Sequence, residues 1–383
     1  MLVNFIAFLP LSIWTYLLLL RGEFWRMRKQ FAPSASFSGP DRKITVVIPA
    51  RDEAEVIGET IRTLLQQDLP APLRIVVVDD NSSDGTSHAA REAAEELGAS
   101  HRLTVIQGQP LAPGWTGKLW AVSQGVALAE TLQPDYLLLT DADIRHAPNS
   151  VRDLLAVAEK QDCDLASYMV RLATKTGAEK MLIPAFVYFF LQLYPPKWIA
   201  SKHMRTAGAA GGCMLIRREA LARIGGIAAI RHEVIDDCAL AKAVKGSGGK
   251  LWMGLTDSAE SLRSYGGSAG VGRMISRSAF SQLRHSALLL VLTMIGLFVT
   301  YLLGPLLLLT GRTTPMLLGG AAWLLMSSSY LPMVRFYRRS IIWCVCLPAI
   351  AAFYASATIH SAWQYWRGIG GAWKGRVQDA RIR

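Results

Sequence analysis

An α/β fold, a doubly wound parallel sheet with apolar helices at either end of the chain, is what this sequence predicts. Three observations carry it. Short apolar runs of strand length alternate with segments of helical spacing through the first half of the chain. Three of those runs end in carboxylates, at Asp52-Glu53, Asp79-Asp80 and Asp141-Ala142-Asp143. The hydrophobic residues, 51% of 383, crowd into the two ends and leave a middle of globular character.

The net charge of +12 could suggest nucleic acid, but Arg21, Arg26, Arg28 and Lys29, like Arg335, Arg338 and Arg339, flank apolar segments. Membrane orientation explains them better, and no nucleic-acid partner is expected. The five cysteines are odd in number and form no Cys-x-x-Cys pair. Cys344 and Cys346 lie inside an apolar run, which fits a reduced setting rather than a disulfide framework.

Leu2–Leu20 is of nearly spanning length and is followed at once by basic residues. A signal peptide carries its positive charge first and a small-residue cleavage site after, so an anchor at 1–21 is expected, then a basic linker at 22–43. Ile44–Pro49 is a continuous apolar run of the buried parallel kind. Glu55–Gln67 has helical spacing through Val56, Ile57, Leu64 and Leu65. Leu73–Val78 is a second strand. Ser83 or Asp84 is the expected N-cap of a helix that runs to about Leu97 and stops at Gly98. Leu103–Ile106, a helix at Lys118–Glu130 and a strand from Asp135 follow, and four strands with intervening helices make the parallel sheet.

Beyond Pro148 the pattern loosens. Leu165–Leu172 and Cys213–Ile216 read as strands, Arg217–Ile224 and Cys238–Val244 as short helices. Ala178–Leu193, with Met181, Leu182, Ala185, Phe186, Phe189 and Phe190 on one broad face, suits a core helix or one lying in a membrane interface. The expected organisation is a globular domain at 44–267, a basic interfacial segment at 268–285, a membrane bundle at 286–363 and a basic tail at 364–383. The bundle has three blocks of spanning length, Ala287–Thr310, Pro315–Val334 and Ile341–Ala362. Three crossings would carry Arg367, Lys374, Arg376, Arg381 and Arg383 outside, against the positive-inside tendency. One block, the one holding Pro348, is therefore a candidate re-entrant segment.

Ligands of a parallel sheet sit outside the carboxyl ends of its strands, where these acids fall. Asp141 and Asp143, at i and i+2 of an extended segment, point to one side and can face one hard cation that holds a phosphate. No Gly-x-Gly-x-x-Gly follows the first strand, so the nicotinamide-dinucleotide fingerprint is absent. The loop Arg51-Asp52-Glu53 instead offers carboxylates suited to ribose hydroxyls and base N–H groups. Each acid by itself reads as a helix cap. Three acidic strand ends at one edge repel one another, and a bound cation and nucleotide would rationalise them.

Val46-Val47-Ile48-Pro49-Ala50-Arg51-Asp52-Glu53, then Asp79-Asp80-Asn81-Ser82-Ser83-Asp84-Gly85-Thr86, then Asp141-Ala142-Asp143 together resemble the nucleotide-sugar half of family 2 glycosyltransferases. The layout most resembles the bacterial branch associated with hopanoid (hopene) biosynthesis. The resemblance implies a GT-A fold and inverting transfer of a sugar from a nucleotide diphosphate, a UDP-sugar above all. It implies that Pro49 and Ala50 border the donor, that Glu53 touches the ribose or uracil and Asp80 the base. Asp143 would bind Mg²⁺ or Mn²⁺ bridging the diphosphate, with Asp141 assisting. Lys118 sits where a cation could meet the diphosphate, or is a surface lysine near a helix start. The family's late Glu-Asp pair is here Asp236-Asp237. Asp237 falls at the position of the catalytic base, suited to take the acceptor hydroxyl's proton. Without the family, the pair is a helix start whose dipole favours acids. Gly212 fits a loop where backbone approaches the donor sugar, or a tight turn.

Polymer-making relatives carry Gln-x-x-Arg-Trp; Ser281-Gln282-Leu283-Arg284-His285 keeps only the Arg, which would contact diphosphate or, equally, be an interfacial arginine. That departure favours transfer of one sugar to a lipid. The expected protein is a multi-pass enzyme of the bacterial inner membrane, facing the cytoplasm, with a nucleotide-diphospho-sugar donor and a hopanoid or related polyisoprenoid acceptor. Other lipid-biosynthesis enzymes are its candidate companions. A processive polysaccharide synthase and a non-catalytic scaffold retaining the fold are the rival readings.

Overall fold

The computed structural model describes residues 2–26, 41–369, 372–373 and 376–377. Arg28, Lys29, the Ser/Pro/Gly-rich part of the linker, and Lys374, Arg381 and Arg383 lie outside the described residues. The chain divides into two compact units.

One unit takes in residues 41–173 and 199–263 and holds an eight-stranded sheet. Its strands are β1 (Ile44–Ala50), β2 (Arg74–Asp79), β3 (Leu103–Gln107), β4 (Tyr136–Thr140), β5 (Ile144–His146), β6 (Leu165–Arg171), β7 (Cys213–Arg217) and β8 (Leu251–Ser261). The spatial order is β3-β2-β1-β4-β7-β6-β8-β5. β1 to β4 run parallel, as their unbroken apolar runs predict, and every residue of β1 and β4 is buried.

The other half of the sheet corrects the expectation of parallel strands. β7 lies antiparallel between β4 and β6, and β5 antiparallel on β8. A short buried strand carries the same apolar signature whichever way its neighbour runs, so direction comes from the connections. The helix Ser150–Lys160 and β8 carry weak signals; in β8, Gly254, Thr256, Asp257 and Ser258 interrupt the apolar run. The helix Thr86–Glu96 starts after Gly85, whose φ of 89° is left-handed, so neither Ser83 nor Asp84 is its N-cap. The Asp84 carboxylate instead serves two helices. It accepts from Thr86 N–H at 3.0 Å and from Ala54 N–H at 2.9 Å, at the start of the helix Ala54–Leu65.

The other unit takes in the helix Leu2–Leu20, residues 174–198 and residues 264–369. The helix Gly177–Leu193 opens with a capping box of Thr176 and Glu179, buries Leu182, Ile183 and Tyr188, and accepts the Tyr354 hydroxyl on Leu182 O at 2.9 Å. Among the described residues two stretches are long and apolar enough to cross a membrane, Ala287–Thr310 and Thr313–Phe336. The first leaves Leu288, Val291, Leu292 and Ile295 exposed. The other expected spans differ from these. Leu2–Leu20 is helical, but its apolar stretch Asn4–Leu20 is shorter, and buried Trp14 donates its indole N–H to Thr300 O at 2.7 Å. The block Ile341–Ala362 breaks into a 3-10 turn, Ile341–Cys344, and a helix, Leu347–Trp366, which Pro348 opens rather than interrupts.

Candidate active site

The loops after β1 and β2 interlock. Asp80 N–H bonds Ala50 O at 2.8 Å, Ser83 N–H bonds the Asp52 carboxylate at 2.9 Å, and Glu53 N–H bonds Thr86 Oγ1 at 2.8 Å. Asp80 is buried, 1% exposed, beneath Arg51, which donates to its carbonyl at 2.6 Å and lies 3.6 Å from its carboxylate. Pro49 and Ala50 are buried at the end of β1, and Pro49 lines a small cavity with Lys118, Asp141, Gly211 and Asp236.

Two cations sort the remaining acids. Lys118, in the first turn of the helix Gly117–Glu130, lies 2.9 Å from Asp141 and 3.0 Å from Asp236. Burial works against its charge, but the two carboxylates outweigh burial and hold the ammonium above the lysine range. Burial raises Asp141, Lys118 opposes the rise, and Asp143 and Asp236 add to it. Arg263, just beyond β8, donates through Nε to Asp143 Oδ2 at 3.0 Å and through Nη2 to the Glu53 carboxylate. Ser261 donates to the same Asp143 oxygen at 3.3 Å, and Leu262 N–H to Asp143 O at 2.7 Å. Asp141 and Asp143 are thus each paired with a different side-chain cation. Among the described residues no group of three or more His, Cys, Asp and Glu is gathered to hold a metal.

Asp236 and Asp237 open the helix Asp236–Gly246, two residues earlier than its apolar pattern begins. Asp237 accepts Gly211 N–H at 2.9 Å on Oδ2 and Cys238 N–H at 2.7 Å on Oδ1. Burial and the neighbouring Asp236 push its carboxyl up to about 6, inside the range where a general base works at neutral pH. Gly212 accepts the Thr140 hydroxyl at 2.7 Å, and a Cβ there would come within 2.9 Å of Val170 Cγ2. Close packing accounts for Gly212, while Gly211 makes the contact with Asp237. Arg284 is exposed in the other unit, at φ 52°. Arg263 follows an irregular strand and had no readable signal. Gly211 lies in the glycine loop that the sequence marks at Gly211-Gly212, but its bond to Asp237 runs through a backbone N–H that nearly every residue has.

A curled mixed sheet whose strands end in acids, with a lysine and two arginines set among them, is GT-A-like in fold. Residues 45–225 match the family described as Glycosyl transferase family 2. Over that stretch, a little under half of its length, the chain is similar to family 2 glycosyltransferases. The 4,4'-diaponeurosporenoate glycosyltransferases of two Staphylococcus aureus strains are each 34% identical to it over 104 residues, 27% of this chain and 24% of theirs. The chain thus spans about a quarter of the length of these curated relatives. A solved structure of the mannosyltransferase PcManGT from Pyrobaculum calidifontis, in complex with GDP-Man and Mn²⁺, shares the fold with TM-score 0.57 at 19% identity, covering 94% of this chain and 99% of that one.

Proposed function

We propose that this chain is a membrane-bound, inverting glycosyltransferase of the bacterial inner membrane, its domain facing the cytoplasm. It moves one sugar from a UDP-sugar to a hydroxyl of a polyisoprenoid lipid of the hopanoid class or a relative of it. The observation that carries the reading is Asp237, a carboxylate held by two backbone N–H groups and lifted to about 6 beside a cluster of acids and cations. The lipid acceptor is supported by the exposed apolar stretch from Ala287 and by the name of the staphylococcal relatives.

In this reading the Asp237 carboxylate takes the acceptor's proton as the acceptor oxygen bonds to C1 of the sugar. The bond from C1 to the diphosphate breaks, and its electron pair leaves with the nucleotide. Gly211 and Cys238 hold the base in place, and Asp236 steadies Lys118, whose ammonium faces the departing charge. Glu53 and Asp80 read the ribose and base. Glu53, Asp141 and Asp143 present the hard carboxylate oxygens that Mg²⁺ and Mn²⁺ take. A guanidinium seated between Glu53 and Asp143 marks a place where positive charge is stable, so these residues fit a divalent cation. Held by Asp143 with Asp141 beside it, such an ion would supply stabilisation of charge on the diphosphate.

The test uses the full chain purified in detergent, with Mn²⁺ and separate UDP- and GDP-sugars, recording nucleotide release with and without membrane lipid extract. Lipid-stimulated release from one donor, lost in Asp143→Asn and in Asp237→Asn, is the expected result. Release that persists in both variants moves the active site elsewhere, and absence of donor binding favours a scaffold.

A further inference from the structure

We infer that Arg263 is a built-in counter-cation: it holds the place between Glu53 and Asp143 until the donor arrives, and so makes divalent-cation binding depend on the nucleotide. The inference rests on the reading of Asp143 as a metal carboxylate. Arg263 spans both acids with one guanidinium, Nε on Asp143 Oδ2 at 3.0 Å and Nη2 on Glu53. A hard divalent ion would sit at about 2.1 Å from a carboxylate oxygen. Two cations that close to Asp143 repel each other, so the ion and the guanidinium compete.

The exposures say which partner moves. The Arg263 side chain is 38% exposed, while those of Glu53 and Asp143 are 12% and 13% exposed. The acids are set into the fold, and the arginine reaches over them from the segment that Leu262 N–H ties to Asp143 O at 2.7 Å. A guanidinium is a planar fork that matches phosphate as well as carboxylate. A nucleoside diphosphate brings enough negative charge to receive both the ion and the released Arg263. Linkage then requires that ion and nucleotide strengthen each other's binding by the same factor.

The experiment measures Mn²⁺ binding to the full-length protein in detergent by loss of the free-ion electron paramagnetic resonance signal, with and without UDP, and with GDP as a separate arm. In the wild type, Mn²⁺ alone binds weakly and nucleotide tightens it. In Arg263→Gln, Mn²⁺ alone binds roughly tenfold tighter, the order expected for removing one charge-assisted competitor, and the further gain from nucleotide shrinks by the same factor. Arg263→Lys, which keeps the charge without the fork, falls between. Adding Asp143→Asn to Arg263→Gln abolishes the gain. Arg51→Gln, which removes a charge seated on Asp80, changes Mn²⁺ affinity by no more than about twofold.

Unchanged or weaker Mn²⁺ binding in Arg263→Gln overturns the inference, as does an equal gain in Arg51→Gln. An Asp143-dependent Mn²⁺ site that ignores Arg263 sinks the inference alone. Mn²⁺ binding with nucleotide that survives Asp143→Asn sinks the metal reading and the inference together.

Discussion

Two carboxylates stand in the first turns of two helices, one in each unit, and they are tuned in opposite directions. Glu179, in the helix Gly177–Leu193, accepts from Lys175 N–H at 2.7 Å, Thr176 N–H at 2.9 Å, the Ser264 hydroxyl at 2.8 Å, Tyr265 N–H at 2.6 Å and Gly266 N–H at 3.0 Å. Burial works against its charge, yet these donors bring it down to about 2. Asp237 has two N–H donors and an acid beside it, and burial with that neighbour lifts it to about 6. Both sit at helix starts, where the dipole favours a negative charge. The number of donors and the sign of the nearest charge decide the outcome. Glu179 stays ionised and pins a loop, whereas Asp237 titrates near working pH.

The largest effect expected from breaking this comparison is on Asp237. Asp237→Asn should lower kcat about a thousandfold, with nucleotide affinity measured by calorimetry kept within a few-fold. A variant that retains a tenth of the rate would remove Asp237 from the role of base.

Next in size, Glu179→Gln leaves donors facing an amide that cannot accept from all of them, and should cost about 2–3 kcal/mol of stability in detergent. The sign of its pH dependence follows from the depressed value. Stability from Glu179 is present above its ordinary 4.5 and is lost as pH falls from there to about 2. Unfolding curves across that window should slope in the wild type and lie flatter in the variant.

Gly212→Ala brings a Cβ within 2.9 Å of Val170 and should lower stability by about 1–2 kcal/mol. Gly211→Ala, whose Cβ would meet Asp237 Oδ2 at 3.5 Å, keeps the N–H and should stay within about 0.5 kcal/mol.

The smallest effect sharpens the comparison most. The rate should rise with pH through a limb near 6, as Asp237 loses its proton. Asp236→Asn removes the neighbouring negative charge and should move that limb to lower pH. A limb that does not move would assign the shift to burial alone.

The sequence by itself determined the four parallel strands at one side of the sheet and the acids at their ends. An unbroken apolar run closed by polar turn residues has few fates other than a buried strand. It also placed Asp236-Asp237 at a helix start and marked Ala287–Thr310 and Pro315–Val334 as apolar blocks of spanning length, the second of which lies within the helix Thr313–Phe336. Tertiary structure alone decided the antiparallel direction of β7 and β5, which depends on connections that composition does not record. It decided that Arg263 meets Glu53 across a separation of 210 residues, a pairing that leaves no periodic trace in the chain. It decided, too, that a carboxylate with an ordinary side chain is lifted to about 6. That value comes from burial and from the charges brought against Asp237, and neither exists until the chain has folded.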